Sequence, residues 1–185
     1  MRRLCETVIH DEAQAPPHAL GTCFAYLVEN NILNDLVSLC LPDEPLGILD
    51  EFLRMCTTLV RHIHVPWFLA NEGVAHALLQ LLRSCNKKQQ KPPGLVELVY
   101  ALCARIHQQP DTLRVLVQLG AQLPKERPAD RFPLMTCIVR HITMDGPSGR
   151  HMRTSLVWVM HALLTLGNNH RAAWPALYFD QATCS

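Results

Sequence analysis

The residues best equipped for chemistry in this chain are its 10 histidines and 8 cysteines. Cys103 and His107 stand four apart, as do Cys137 and His141, a spacing that puts both side chains on one face of a helix. His62 and His64 flank Ile63. Such pairs could supply half of a tetrahedral zinc site. Structural zinc sites, however, draw on close pairs such as Cys-x-x-Cys, and none occurs here. His107 and His141 also fall near expected helix C-termini, where the helix dipole favours a partly charged imidazole. The expectation is no metal site and no cofactor.

Nucleophilic and phosphate chemistry fare no better. Gly-Pro-Ser-Gly at 146–149 falls short of the Gly-x-Ser-x-Gly elbow, and no strand leads into it, so it reads as a helix entrance. His-Glu-x-x-His is absent, and with 8 glycines in all there is no phosphate-cradling loop. The acid pairs Asp43/Glu44 and Asp50/Glu51 lie near helix starts, where carboxylates complement the dipole. Lys87, Lys88 and Lys91 cluster in a connector without interleaved aromatic residues, so bases would have no stacking platform. With 17 Lys and Arg against 16 Asp and Glu, the net charge of +1 gives no field to hold nucleic acid or an acidic membrane. The expectation is a protein that is not an enzyme, with no catalytic or cofactor-binding residues and no nucleic-acid partner.

The elements that would position any site are helices. Hydrophobic residues make up 49% of the 185 and charged ones 18%, enough to bury one ordinary domain. From Leu46 to Ile63 the residues Leu49, Phe52, Leu53, Cys56, Leu59, Val60 and Ile63 follow three-four spacing. Pro45 fits a first helical turn. The same pattern predicts helices over Thr22 to Asn30, Ile32 to Leu41, Gly73 to Cys85 and Leu95 to His107. It recurs over Thr112 to Leu119 (ended by Gly120), Phe132 to Met144 and Ser148 to Leu166. No stretch alternates as a strand would, so the class is all-α. Pro-bearing connectors join the helices, and the longest, Pro124 to Pro133, marks a hinge at 120–131. Residues 167–185 lose periodicity and read as an irregular C-terminal tail. Cys40, Cys56, Cys85, Cys103 and Cys137 fall in or beside the apolar stripes, which predicts buried, reduced thiols in a cytoplasmic protein.

A repeat refines this picture. Gly47 and Gly94 are 47 residues apart, as are Cys56 and Cys103, each pair bounding a similar helical run. That period belongs to armadillo- and HEAT-like α-solenoids of stacked helical hairpins, here over residues 1–166. Residues 1–6 are interrupted by charge too soon for a signal peptide. The uncharged run between Arg153 and Arg171 holds 17 residues, including His161, Asn168, Asn169 and His170, too short and polar for a bilayer span. Within it Leu156, Val157, Trp158, Val159, Met160, Leu163 and Leu164 surround most of a helix, leaving Arg150, Thr154, His161 and Thr165 as a narrow polar line. A helix apolar nearly all round needs cover on two sides. Three such side chains left exposed forfeit on the order of 5–8 kcal/mol, so the expectation is an incomplete solenoid that self-associates or takes a partner.

Several segments also carry a resemblance. They are Leu-Cys-Glu at 4–6, Gly-Thr-Cys-Phe-Ala-Tyr-Leu-Val at 21–28, Asp-Glu-Pro-Leu-Gly at 43–47, Arg-Phe-Pro-Leu-Met at 131–135, Asp-Gly-Pro-Ser-Gly-Arg at 145–150 and Arg-Thr-Ser-Leu at 153–156. In this order, from Leu4 to Leu166, the chain resembles the N-terminal region of the FTS- and Hook-interacting protein (FHIP) family, the retinoic-acid-induced-16-like proteins. The tail from Ala172 departs from the pattern. The resemblance implies a non-enzymatic scaffold or adaptor subunit of the FTS/Hook/FHIP complex, with a Hook adaptor and FTS as protein partners. It implies a link to dynein-driven transport and a place in the cytoplasm, peripheral on endosomal vesicles through those partners, without membrane insertion. It names no partner-contacting residue. The alternative is an armadillo-like interaction adaptor unrelated to vesicle transport.

Overall fold

The computed structural model describes residues 1–16, 21–63, 65, 68–88, 92–122 and 132–169. Nine helices and no strand occur among them: α1 (Arg2–Gln14), α2 (Thr22–Glu29), α3 (Ile32–Cys40), α4 (Ile48–His62), α5 (Glu72–Lys87), α6 (Gly94–Gln108), α7 (Asp111–Gln122), α8 (Pro133–His141) and α9 (Gly146–Asn169). The all-helical expectation holds. The hinge at 120–131 falls largely outside the described residues, and the part inside them, Gly120 to Gln122, is helix.

The apolar stripes meet as their spacing requires. On α4, Leu49, Phe52, Leu53, Cys56, Leu59 and Val60 are buried, and α4 packs along α6, whose other flank packs along α9. On the far side α5 contacts α3, α7 and α8. Phe24 of α2 meets Phe68 with ring centroids 5.2 Å apart, both rings buried. One apolar core runs from Cys5 to Leu166.

The boundaries correct several expectations. The whole of α1 escaped notice, because only Cys5 and Val8 of its 13 residues are buried. Pro45 does not open α4. It follows a cis peptide bond and lies in the turn before Gly47, whose φ of +92° suits glycine. Asp43 caps that helix, its Oδ1 accepting from the N–H groups of Gly47 and Leu49, each at 3.0 Å. Asn86 and Lys87 belong to α5 and not to the connector, and buried Asn86 donates to the carbonyl of Pro133 at 2.9 Å, tying α5 to the start of α8. Gly120 does not end α7. It is buried within the helix, two residues before its end at Gln122. α8 stops at His141, three residues early. α9 begins two residues before Ser148 and carries on to Asn169, so 167–169 are helix and the rest of the expected tail, 170–185, lies outside the described residues.

The N-terminus of α2 is served from α1. Gly21 N–H donates to Glu12 Oε1 at 2.9 Å and Cys23 N–H to Asp11 Oδ2 at 2.7 Å, so two orphan helix donors are satisfied by carboxylates. Asp11→Ala is therefore expected to lower stability by about 1 kcal/mol in urea unfolding. An unchanged midpoint would show that water replaces the carboxylate without loss.

Cys5, Cys40, Cys56, Cys85, Cys103 and Cys137 are buried free thiols, while Cys23 is half-exposed. Burial raises Cys56 and pushes Cys103 up to about 12, so neither forms thiolate near neutrality. Mass-resolved labelling with Ellman's reagent should modify Cys23 in the native chain and reach the six buried thiols only with denaturant. Native labelling of Cys56 or Cys103 at the unfolded rate would contradict this packing.

Candidate functional site

The metal and catalytic readings can be followed residue by residue. Cys103 and His107 part company: Cys103 is fully buried beneath Ser155, while His107 is exposed in the last turn of α6. Cys137 and His141 do meet, with Sγ 3.8 Å from Nδ1. That nitrogen lies 2.7 Å from the Cys137 carbonyl, which can only accept, so Nδ1 carries the proton and points its N–H at the backbone. It has no lone pair for a metal. His62 is exposed at the end of α4, and His64 lies outside the described residues. Among the described residues no three His, Cys, Asp or Glu side chains gather as metal ligands.

The carboxylate pair at the start of α4 does more than complement a dipole. Asp50 Oδ1 accepts from Gly94 N–H at 2.7 Å and Oδ2 pairs with Arg54 at 2.8 Å, while Glu51 takes the same guanidinium at 3.2 Å. Both acids are thus structural, and Asp50 fixes the start of α6 on α4. Lys87 sits in the last turn of α5 with Lys88 as its cap residue, and Lys91 lies outside the described residues. Gly146 to Gly149 form the first turn of α9, and Ser148 is an ordinary helix residue. The enclosed crevice between Val37, Phe52, Cys56, Phe68 and Leu78 has a wholly apolar lining, with no group to orient a polar substrate.

What remains is surface, and α9 contributes a stripe of it. Its inner face is Met152, Ser155, Val159, Ala162 and Leu166, all buried. Leu156, Trp158 and Leu163 flank that face and pack partly against the core. Of the seven apolar residues that surround the helix in sequence, Val157, Met160 and Leu164 reach solvent, at 65%, 47% and 65% exposure. They stand at i, i+3 and i+7, one stripe between exposed Arg150 and Arg153 at one end and His161 alongside. Thr154 and Thr165, expected on a polar line, are half-buried flanks instead. No helix of the described residues is long and apolar enough to cross a membrane.

Beside the stripe, at the seam of α6 and α9, five rings stack in a ladder that sequence reasoning missed. Tyr100 stacks on His151 at 4.2 Å and meets Trp158 at 5.2 Å. His107 stacks on Trp158 at 5.6 Å and meets His161 edge-on at 5.4 Å. Glu97 heads the ladder, paired with Arg61 at 2.8 Å and with His151 Nδ1 at 3.3 Å, the latter within ion-pair reach without hydrogen-bond alignment. Arg61 and Glu97 are each about half exposed, so their pairing orients the side chains more than it stabilises the fold. In sequence, only the three- and seven-residue spacings of Glu97, Tyr100 and His107, and of His151, Trp158 and His161, hinted at the two rails.

Among the described residues the arrangement offers apolar and aromatic surface on a helical frame. A sequence model of one protein family, described as "Retinoic acid induced 16-like protein", matches residues 23–174.

Proposed function

We propose, from the fact that this chain belongs to the retinoic acid induced 16-like family, that it is a non-enzymatic scaffold working by docking of protein partners. The observation that carries this reading is the outer face of α9, where Val157, Met160 and Leu164 expose an apolar stripe on a rigid 24-residue helix. Exposed apolar patches on well-packed frames are where protein partners bind, and an amphipathic helix with matching i, i+3, i+7 residues fits such a stripe. The frame is an armadillo/HEAT-like solenoid in which α4, α6 and α9 form one rank and α3, α5 and then α7 with α8 the other. The side-by-side packing of α4 on α6 and α6 on α9, and of α5 on α3, α7 and α8, supports that architecture.

The partners, by the chain's resemblance to the FTS- and Hook-interacting proteins, are a Hook adaptor and FTS, and the place of work is the cytoplasmic side of endosomal vesicles. Purified full chain mixed with a Hook adaptor and FTS should co-elute with them in size-exclusion chromatography. Separate elution of all three at concentrations well above a micromolar Kd would remove the transport assignment.

A further inference from the structure

We propose, resting on the scaffold reading above, that the outer line of α9 receives a single amphipathic helix of a partner protein, whose apolar stripe ends in carboxylates that pair with Arg150 and Arg153. Five exposed residues of α9, Arg150, Arg153, Val157, Met160 and Leu164, follow one another at intervals of three, four, three and four. That alternation is the seam of a two-stranded coiled coil. It runs about 21 Å along the helix axis, so one helix of similar length can lie along all of it.

Charge decides which kind of helix. The 24 residues of α9 include no Asp or Glu, yet Arg150 and Arg153 stand in its first third, where the helix dipole favours anions. Among the described residues Arg150 meets no hydrogen-bond or ion-pair partner, and Arg153 donates only to the Ile142 carbonyl at 3.0 Å. Asp145, exposed just ahead of the helix, pairs with neither. By contrast Arg54 and Arg61 on α4 each hold a carboxylate at 2.8 Å, from Asp50 and Glu97. Carboxylates on a partner would answer both free guanidiniums and the dipole at once. A second copy of α9 brings the same arginines and no acid, so it lacks the complement. A helix lying in a membrane surface sets its cations on a polar face opposite the apolar one, whereas here they continue the apolar line itself.

The test uses the full chain and two labelled helical peptides of about 24 residues. Both carry Leu at three consecutive seam positions, and the two seam positions beyond them are Glu in one peptide and Lys in the other. In fluorescence anisotropy the Glu peptide should bind about tenfold more tightly than the Lys peptide. Arg150→Glu should erase that preference, while Leu164→Ser should weaken both peptides alike. Since Arg150 is exposed and unbonded, its variant should match the parent in thermal unfolding, which separates lost recognition from lost fold. Equal affinity for the two peptides, binding of neither, or a preference that survives Arg150→Glu would overturn the acidic helix. Self-association that the Glu peptide does not displace would give the face to a second copy, and retention on phosphatidylserine vesicles in its presence would give it to a lipid surface. Each of these failures leaves the scaffold reading standing if the chain still co-elutes with a Hook adaptor and FTS. Loss of that co-elution with the Glu preference intact would remove those partners and keep the seam.

Discussion

Gly149→Ala should destabilise the protein by about 3 kcal/mol or more, although the same change in an ordinary helix interior gains about 1 kcal/mol. Gly149 is buried in the first turn of α9, and a Cβ there would lie 1.6 Å from the carbonyl oxygen of Met144 and 2.7 Å from its carbon. Those are backbone atoms and cannot rotate away. The turn that carries them is held from both ends: Met144 N–H donates to the His141 carbonyl at 3.1 Å, and Arg153 donates to the Ile142 carbonyl at 3.0 Å. Relief would require moving α8 against α9, and those helices bury Cys137, Ile138 and Met152. Gly167 supplies the internal comparison. It lies in the same helix with nothing within 4 Å of a built Cβ, so Gly167→Ala should be neutral or stabilising by up to about 1 kcal/mol. At about 2–4 °C per kcal/mol for a chain of this size, thermal unfolding would separate the two variants by roughly 10 °C. Equal midpoints would mean that α9 does not enter the fold at this angle.

That contrast marks where sequence reading reaches its limit. The bodies of α4, α5 and α6 were legible because three-four spacing is a property of the chain alone, and every residue cited for the α4 stripe is buried. Helix ends were less legible, since they depend on what arrives from elsewhere. Gly120 resembles a stop in sequence but sits inside α7, and α9 starts at Gly146, two residues before the Ser148 that the spacing marks. α1 was invisible because two buried side chains in 13 residues leave almost no periodic signal. The 47-residue spacing puts Cys56 and Cys103 at buried positions of the neighbouring helices α4 and α6. What it concealed is that Asp50 binds the first N–H of α6, a contact across 44 residues that no local pattern carries. The ring ladder escaped for the same reason. Each rail is readable on its own helix, but the pairing of Tyr100 with His151 and of His107 with His161 exists only once α6 lies along α9.

Reversing the polarity of the α9 stripe should abolish association while sparing the fold. In Val157→Glu, Met160→Lys and Leu164→Glu combined, the replaced side chains are 65%, 47% and 65% exposed, so little internal contact is lost. Each change should therefore move stability by less than about 0.5 kcal/mol. The effect on association is larger. Covering these three side chains removes their exposed fraction from water, on the order of 3–5 kcal/mol in all. That is below the 5–8 kcal/mol expected from sequence, because the fold already shields part of each residue and takes Val159 wholly inside. It still corresponds to at least a hundredfold in an association constant, since 1.4 kcal/mol is tenfold. The parent chain should show concentration-dependent sedimentation or bind a partner through this face, and the triple variant should sediment as a monomer and fail to bind. The alternating charges keep the net charge change small, so lost association cannot be assigned to general repulsion. A triple variant that still self-associates, or still co-elutes with the partners of the parent chain, would place the docking surface elsewhere. A parent chain that stays monomeric and unpartnered at high concentration would show that α9 closes the fold by itself.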